Sequence, residues 1–131
     1  MTAKTLKRIL YAEDEEDIRS IARIALEDIG GFNVDYCCNG LEVLDHIQKQ
    51  YPDLVLLDVM MPAMDGPTVL QKLHEMYPDN CPPVVFMTAK IQPIEVEEYK
   101  KQGVIGVIAK PFDPMKLAED IKNAWSAYHG K

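Results

Sequence analysis

Short apolar runs alternate with longer amphipathic stretches along this chain. The first run, RILYA at residues 8–12, is brief and partly β-branched or aromatic, which reads as a strand. Over residues 16–29, Ile18, Ile21, Ala22, Ala25, Leu26 and Ile29 recur three and four apart, which predicts one helical stripe. Gly30 and Gly31 stop that helix. FNVDYCC, residues 32–38, is a second and weaker strand. Leu41, Leu44 and Ile47 then mark a helix that ends near Pro52. DLVLLDV, residues 53–59, is the clearest strand, apolar on both faces as a central parallel strand should be. Residues 66–77 are helical, with Asp65 as cap and Pro67 in the first turn. PVVFMTA, residues 83–89, is the fourth strand, followed by a polar helix over 93–102 that ends at Gly103. VIGVIA, residues 104–109, is the fifth strand. Asp113-Pro114 opens the last helix, whose stripe is Leu117, Ile121, Ala124, Trp125 and Tyr128.

Five strand–helix pairs in 131 residues predict an α/β fold, a doubly wound parallel sheet with helices on both faces. The expectation is a single domain over 1–131, with its core at about 7–128. In such sheets the working site lies beyond the carboxyl ends of the strands, where strand order reverses. Strand one is followed by Glu13 and Asp14, strand three ends at Asp58, strand four at Thr88 and strand five at Lys110. Strand two ends in Cys37 and Cys38 and belongs at an edge.

Three carboxylates at neighbouring strand ends repel unless a positive charge sits among them. A hard divalent cation with oxygen ligands satisfies them, and Mg²⁺ suits few carboxylates and several waters. The acids that follow, Glu15, Glu16 and Asp17, fit the first turn of a helix, where the macrodipole favours them. A cation, a lysine and a threonine together resemble the parts of a phosphoryl-transfer site. No Walker A loop is present, so a nucleotide is not the expected donor. A carboxylate can itself be the nucleophile and form an acyl phosphate. Asp58, alone at the end of the central strand, is best placed. Lys110 by itself would read as a surface lysine and Thr88 as a strand end; beside three carboxylates both read as site residues. Asp65-Gly66 reads as a turn and cap. His46, His74 and His129 have no carboxylate or serine at useful spacing and read as surface or packing residues.

Composition narrows the classes. Nothing approaches the roughly 20 apolar residues that span a bilayer, and no secretory signal opens the chain, so the cytoplasm is the expected compartment. The three cysteines, two of them adjacent, show no metal spacing and read as reduced core or near-core thiols. A net charge of −7 speaks against nucleic acid as a partner and agrees with a cation or a basic protein.

The blocks ILYAEDEEDIR, LVLLDVMMPAMDG, VVFMTA and AKPF, in this order, resemble response-regulator receiver domains of two-component signalling, of the single-domain chemotaxis type. The resemblance implies a flavodoxin-like sheet of order 2-1-3-4-5 with five helices. It implies Asp58 as phospho-acceptor and Mg²⁺ held by Asp14, Asp58 and the Met60 carbonyl, with Glu13 acting directly or through water. Thr88 would bond the phosphoryl group, and Lys110 would pair with one of its oxygens. A cis peptide bond before Pro111 is often part of this site. The phosphoryl group would come from a histidine kinase or a histidine phosphotransfer protein, or from small donors. The chain would thus be a signalling phospho-acceptor that catalyses its own phosphorylation and dephosphorylation, rather than an enzyme acting on a separate substrate.

Two positions depart from the family pattern, and a further pair bears on the lifetime of the phosphoryl group. Glu13 stands where Asp is more usual. Val107 stands where many receivers carry a Tyr or Phe that rotates inward, so the usual dimer of the fourth and fifth β–α units is not expected; a monomer or weak dimer is. Met60 and Lys90 flank the path of the attacking water, and an apolar Met60 does not orient it, so slow to moderate self-dephosphorylation is expected. No DNA-binding or enzymatic domain is read after the fifth helix; if 131 residues are the full product, the expected output is a binding event with an unknown downstream protein target, and if they are part of a longer protein the output lies outside them. Two rivals remain. A haloacid-dehalogenase-type phosphatase wants an acid at position 60, which is Met. The other rival is a receiver-fold interaction module that is never phosphorylated.

Overall fold

The computed structural model describes residues 5–89 and 92–129. Its elements run β1 (Arg8–Ala12), α1 (Glu16–Arg23), β2 (Asn33–Cys37), α2 (Gly40–Lys49), β3 (Leu54–Asp58), α3 (Gly66–Met76), β4 (Val84–Thr88), α4 (Pro93–Gln102), β5 (Gly106–Ala109) and α5 (Leu117–His129). All four strand pairings are parallel, and the order is 2-1-3-4-5. The doubly wound parallel sheet read from the alternation of apolar runs is therefore observed, in the flavodoxin-like order 2-1-3-4-5 that the resemblance implied.

Strand order reverses between β1 and β3, so the crevice beyond their carboxyl ends is the natural site. The register carries the side chains there. Ala12 pairs with Leu57, which sets Glu13 beside Asp58. Asp58 pairs with Met87 and Thr88 with Ala109, so Thr88 and Lys110 stand one step beyond.

Because side chains alternate along strands, the sheet feeds two cores. Ile9, Tyr11, Leu54, Leu56, Val85 and Met87 face Ala22, Leu26, Ile121 and Trp125. Leu10, Val55, Leu57 and Phe86 face Val43, Ile47, Val69 and Leu73. β3 and β4 are buried at every residue, as central parallel strands require.

The helices depart from the sequence pattern at named positions. The first is α-helical only to Arg23; Ile24–Ile29 is a π-helical segment. The Gly30 N–H donates to the Ala25 carbonyl, 3.1 Å, the five-residue step of a π turn. A wider turn makes later positions lag their α-helical phase. Ala22, Ala25 and Leu26 stay inward while Ile29 rotates out, and Ile21 lies at the rim; both are exposed, contrary to the predicted stripe. On α2 the inward residues are Gly40, Val43 and Ile47, and Leu41 is exposed. Asn39 caps this helix, accepting from the Glu42 N–H at 3.0 Å. Asp65 caps α3 as expected, accepting from the Thr68 N–H at 2.9 Å. α4 ends at Gly103, whose φ of +113° is open to glycine alone at low cost. α5 begins at Leu117, after a turn in which Asp113 accepts from the Met115 N–H. Its last stripe member, Tyr128, is exposed and lies edge-on to His129.

Candidate functional site

Three strands deliver three side chains to one face. Tyr11 and Glu13 are two apart, as are Leu56 and Asp58, and Ile108 and Lys110. Period-two alternation therefore sets Glu13, Asp58 and Lys110 on the face that buries Ile9, Tyr11 and Leu56. Lys110 Nζ donates to Asp58 Oδ2 at 2.7 Å and to Glu13 Oε1 at 2.9 Å. Glu13 is wholly buried, Asp58 and Thr88 are nearly so, and Asp14 is exposed at the rim.

Each buried oxygen is accounted for, as buried charge requires. Glu13 Oε1 also accepts from the Tyr11 hydroxyl at 3.4 Å, and Oε2 accepts from the Glu15 N–H at 3.2 Å. Asp58 Oδ1 accepts from the Met60 N–H at 3.2 Å. The Glu13 carbonyl accepts from Arg19 Nη1 at 2.7 Å, which ties α1 to the site. Burial pulls the Lys110 ammonium down, but its bonds to Asp58 and Glu13 outweigh this and hold it above the ordinary lysine value. Burial first, then the charges of Glu13 and Asp58, push the Tyr11 hydroxyl far above its ordinary range.

Local packing fixes the loop after β3. A Cβ on Gly66 would lie 3.0 Å from the Asp58 carbonyl oxygen, so the start of α3 can rest directly on the acceptor strand only with glycine there. The Gly66 N–H donates to the Val59 carbonyl and the Val59 N–H to Met87. Met60 sits between them with its side chain 77% exposed. The Lys110-Pro111 peptide bond is cis.

Oxygens of Glu13, Asp14 and Asp58 all lie within 4.8 Å of one another. Octahedral Mg²⁺ at about 2.1 Å from each ligand spaces its ligands about 3–4 Å apart. Among the described residues, three carboxylates against one ammonium leave two negative charges, which a divalent cation balances. Donor type, spacing and charge all fit the ion. Glu13 Oε1 is bonded to Lys110 and the side chain has no solvent exposure, whereas Asp14 meets solvent.

The sequence-predicted residues Glu13, Asp14, Asp58, Thr88 and Lys110 thus gather at one end of the sheet. Tyr11 was read only as part of a strand. The signal for more was present, since a Tyr two residues before a Glu on one strand shares its face. Lys90, expected to flank the water path, lies outside the described residues. Val107 is half-buried and packs into the core of α2, α3 and α4, where Tyr99 stacks edge-on against Phe86 at 5.1 Å. The expectation that no histidine has a carboxylate partner fails for His46, which pairs across to Asp35 on β2 at 3.1 Å; His129 packs its ring, tilted, on Trp125. The cysteines are free as expected, but Cys38 is exposed rather than near the core. Among the described residues no helix is long and apolar enough to cross a membrane.

A five-stranded 2-1-3-4-5 sheet with an acidic cluster and a lysine at its switch point is the architecture of a signalling receiver. Residues 9–122 match the response regulator receiver domain, and the chain belongs to that family. It is 37% identical over 115 residues to Response regulator Rre1 of Synechocystis sp., covering 88% of this chain and 50% of that protein. It is 33% identical over 116 residues to Sporulation initiation phosphotransferase F of Bacillus subtilis, covering 88% and 91%. The structure of chemotaxis response regulator CheY4 of Vibrio cholerae superposes with a TM-score of 0.81 at 28% identity, over 92% of this chain and 99% of that one. The chain spans about half the length of most of the curated relatives it matches. It is a receiver of two-component phosphorelay signalling.

Proposed function

We propose that Asp58 accepts a phosphoryl group and that its arrival switches a protein-binding surface. The observation that carries this is the Asp58 carboxylate, nearly buried at the end of the central strand, held by Lys110 at 2.7 Å with two more carboxylates close by. An Asp58 carboxylate oxygen attacks phosphorus in a phosphohistidine. The new O–P bond forms as the P–N bond breaks, and the imidazole leaves with the electron pair and takes up a proton. The product is an acyl phosphate.

Lys110 neutralises a phosphoryl oxygen, and the Thr88 hydroxyl donates another hydrogen bond to the group. Mg²⁺ held by Glu13, Asp14, Asp58 and the Met60 carbonyl would supply the remaining positive charge at the phosphoryl oxygens. The receiver supplies this machinery to its own modification and to its reversal. The donor is a histidine kinase or a histidine phosphotransfer protein in the cytoplasm, and the output is a change in binding to a downstream protein. The chain acts as one domain over residues 1–131.

Incubation with Mg²⁺ and acetyl phosphate or phosphoramidate, followed by intact mass, tests this reading. The expected result is one phosphoryl adduct, abolished by a chelator and absent from Asp58→Asn. If the wild type takes no adduct and binds no beryllofluoride with Mg²⁺, the unphosphorylated interaction module becomes the better account.

A further inference from the structure

The phosphoryl-transfer account leaves Tyr11 without a role, yet Tyr11 touches its most buried acid. The ring is wholly buried under the sheet's carboxyl end. A buried phenol needs a partner for its hydroxyl, and this one donates to Glu13 Oε1. The same oxygen accepts from Lys110 Nζ at 2.9 Å. Glu13 has no solvent exposure, so its charge is balanced only by such neighbours.

The two donors differ in what they must do. Lys110 also serves Asp58, and in the proposed transfer it is the side chain that turns to a phosphoryl oxygen. Tyr11 is fixed in the core and stays. At rest the hydroxyl is 3.4 Å away, long for a hydroxyl–carboxylate bond, while the lysine sits closer. It has room to close as Lys110 withdraws. The length of the acid matters too: an Asp at position 13 would end about 1.5 Å short, out of the hydroxyl's reach.

We propose that Tyr11 is a positioning residue that acts through Glu13. It shares the Glu13 charge with the cation site, and it satisfies the carboxylate when Lys110 moves to the phosphoryl group. This rests on the reading of the site given above. Losing the hydroxyl then has two opposite effects. Glu13 is left more negative, so Mg²⁺ binds more tightly. Among the described residues Lys110 becomes its remaining side-chain donor, so releasing Lys110 to a phosphoryl group is harder.

The test is a pair of titrations by calorimetry on wild type and Tyr11→Phe. Mg²⁺ is titrated alone, and beryllofluoride is titrated at saturating Mg²⁺. Tyr11→Phe is expected to bind Mg²⁺ roughly threefold or more tighter and beryllofluoride roughly threefold or more weaker, the size of one net hydrogen bond. Tyr11→Leu, which also lacks the hydroxyl but leaves a cavity, should move the two constants in the same opposite directions even though it costs stability. In a Glu13→Asp background, Tyr11→Phe should change neither constant. Constants that stay within twofold of wild type, or that move together as general loosening would move them, overturn the role of Tyr11. So does an undiminished effect in the Glu13→Asp background. A wild type that binds neither ligand overturns the phospho-acceptor reading, and the Tyr11 proposal with it.

Discussion

Lys110 is the residue on which the site's electrostatics turn. It holds two buried carboxylates together at rest, and both its bonds are charge-assisted. In the proposed transfer it leaves one of them to meet developing charge on phosphorus. Lys110→Ala is expected to slow phosphorylation by acetyl phosphate about 100-fold, the usual cost of one preorganised donor. Lys110→Arg should recover little, because a planar fork does not replace a compact ammonium bonded to two separate acids. Stopped-flow or mass-resolved time courses read both; an Ala variant within threefold of wild type would remove Lys110 from the chemistry. Glu13, Asp14, Asp58, Thr88 and Lys110 were legible in sequence because each ends or follows an apolar run, and the fold class says where strand ends meet. Tyr11 was not, because within RILYA an aromatic looks like core and only its partner two residues on reveals the hydroxyl's task.

At the scale of elements, strands were easier to read than helix faces. A strand's period of two survives distortion: RILYA coincides with β1, and DLVLLDV runs one residue past β3 at each end. A helix face depends on accumulated phase, and one π-helical turn shifts everything after it. That is why Ile29 looked like core and is 44% exposed, while Leu26 is wholly buried. The two residues separate the readings. Leu26→Ala should cost about 2–5 kcal/mol by urea unfolding, as a buried leucine does. Ile29→Ala should cost less than about 1 kcal/mol, because little apolar area leaves the core. If Ile29→Ala cost as much as Leu26→Ala, the segment would be a continuous α-helix with its stripe inward. Leu41 teaches a related lesson. Asn39 sets where α2 starts, and the neighbours Val43 and Ile47 define its inward face.

For the whole molecule, two linkages to the solvent follow from the buried groups. Burial pushes the Cys37 thiol from 9.0 up to about 12. Between those values the folded chain keeps a proton that the unfolded chain releases, so stability falls as pH rises. The raised Tyr11, Tyr36 and Lys110 groups act in the same direction. Cys37→Ala should therefore flatten the decline between pH 9 and 12, by at most about 1.4 kcal/mol per pH unit, the value of one linked proton. An unchanged slope would mean that the thiol titrates normally. The second linkage involves the acidic cluster. Glu13, Asp14 and Asp58 crowd within 4.8 Å around one ammonium, an arrangement suited to a cation rather than to stability. Asp14 is the exposed member, so its charge can be removed without leaving a buried group unpaired. Asp14→Asn should raise the stability of the metal-free protein by about 0.5–1 kcal/mol, the screened repulsion of neighbouring carboxylates. It should also abolish the added stability that Mg²⁺ gives the wild type, about 2.7 kcal/mol at 100 times the dissociation constant. Urea unfolding with Mg²⁺ and with a chelator measures both signs in one experiment. A variant less stable without metal would show that Asp14 holds the loop together, and one that still gained from Mg²⁺ would place the cation elsewhere.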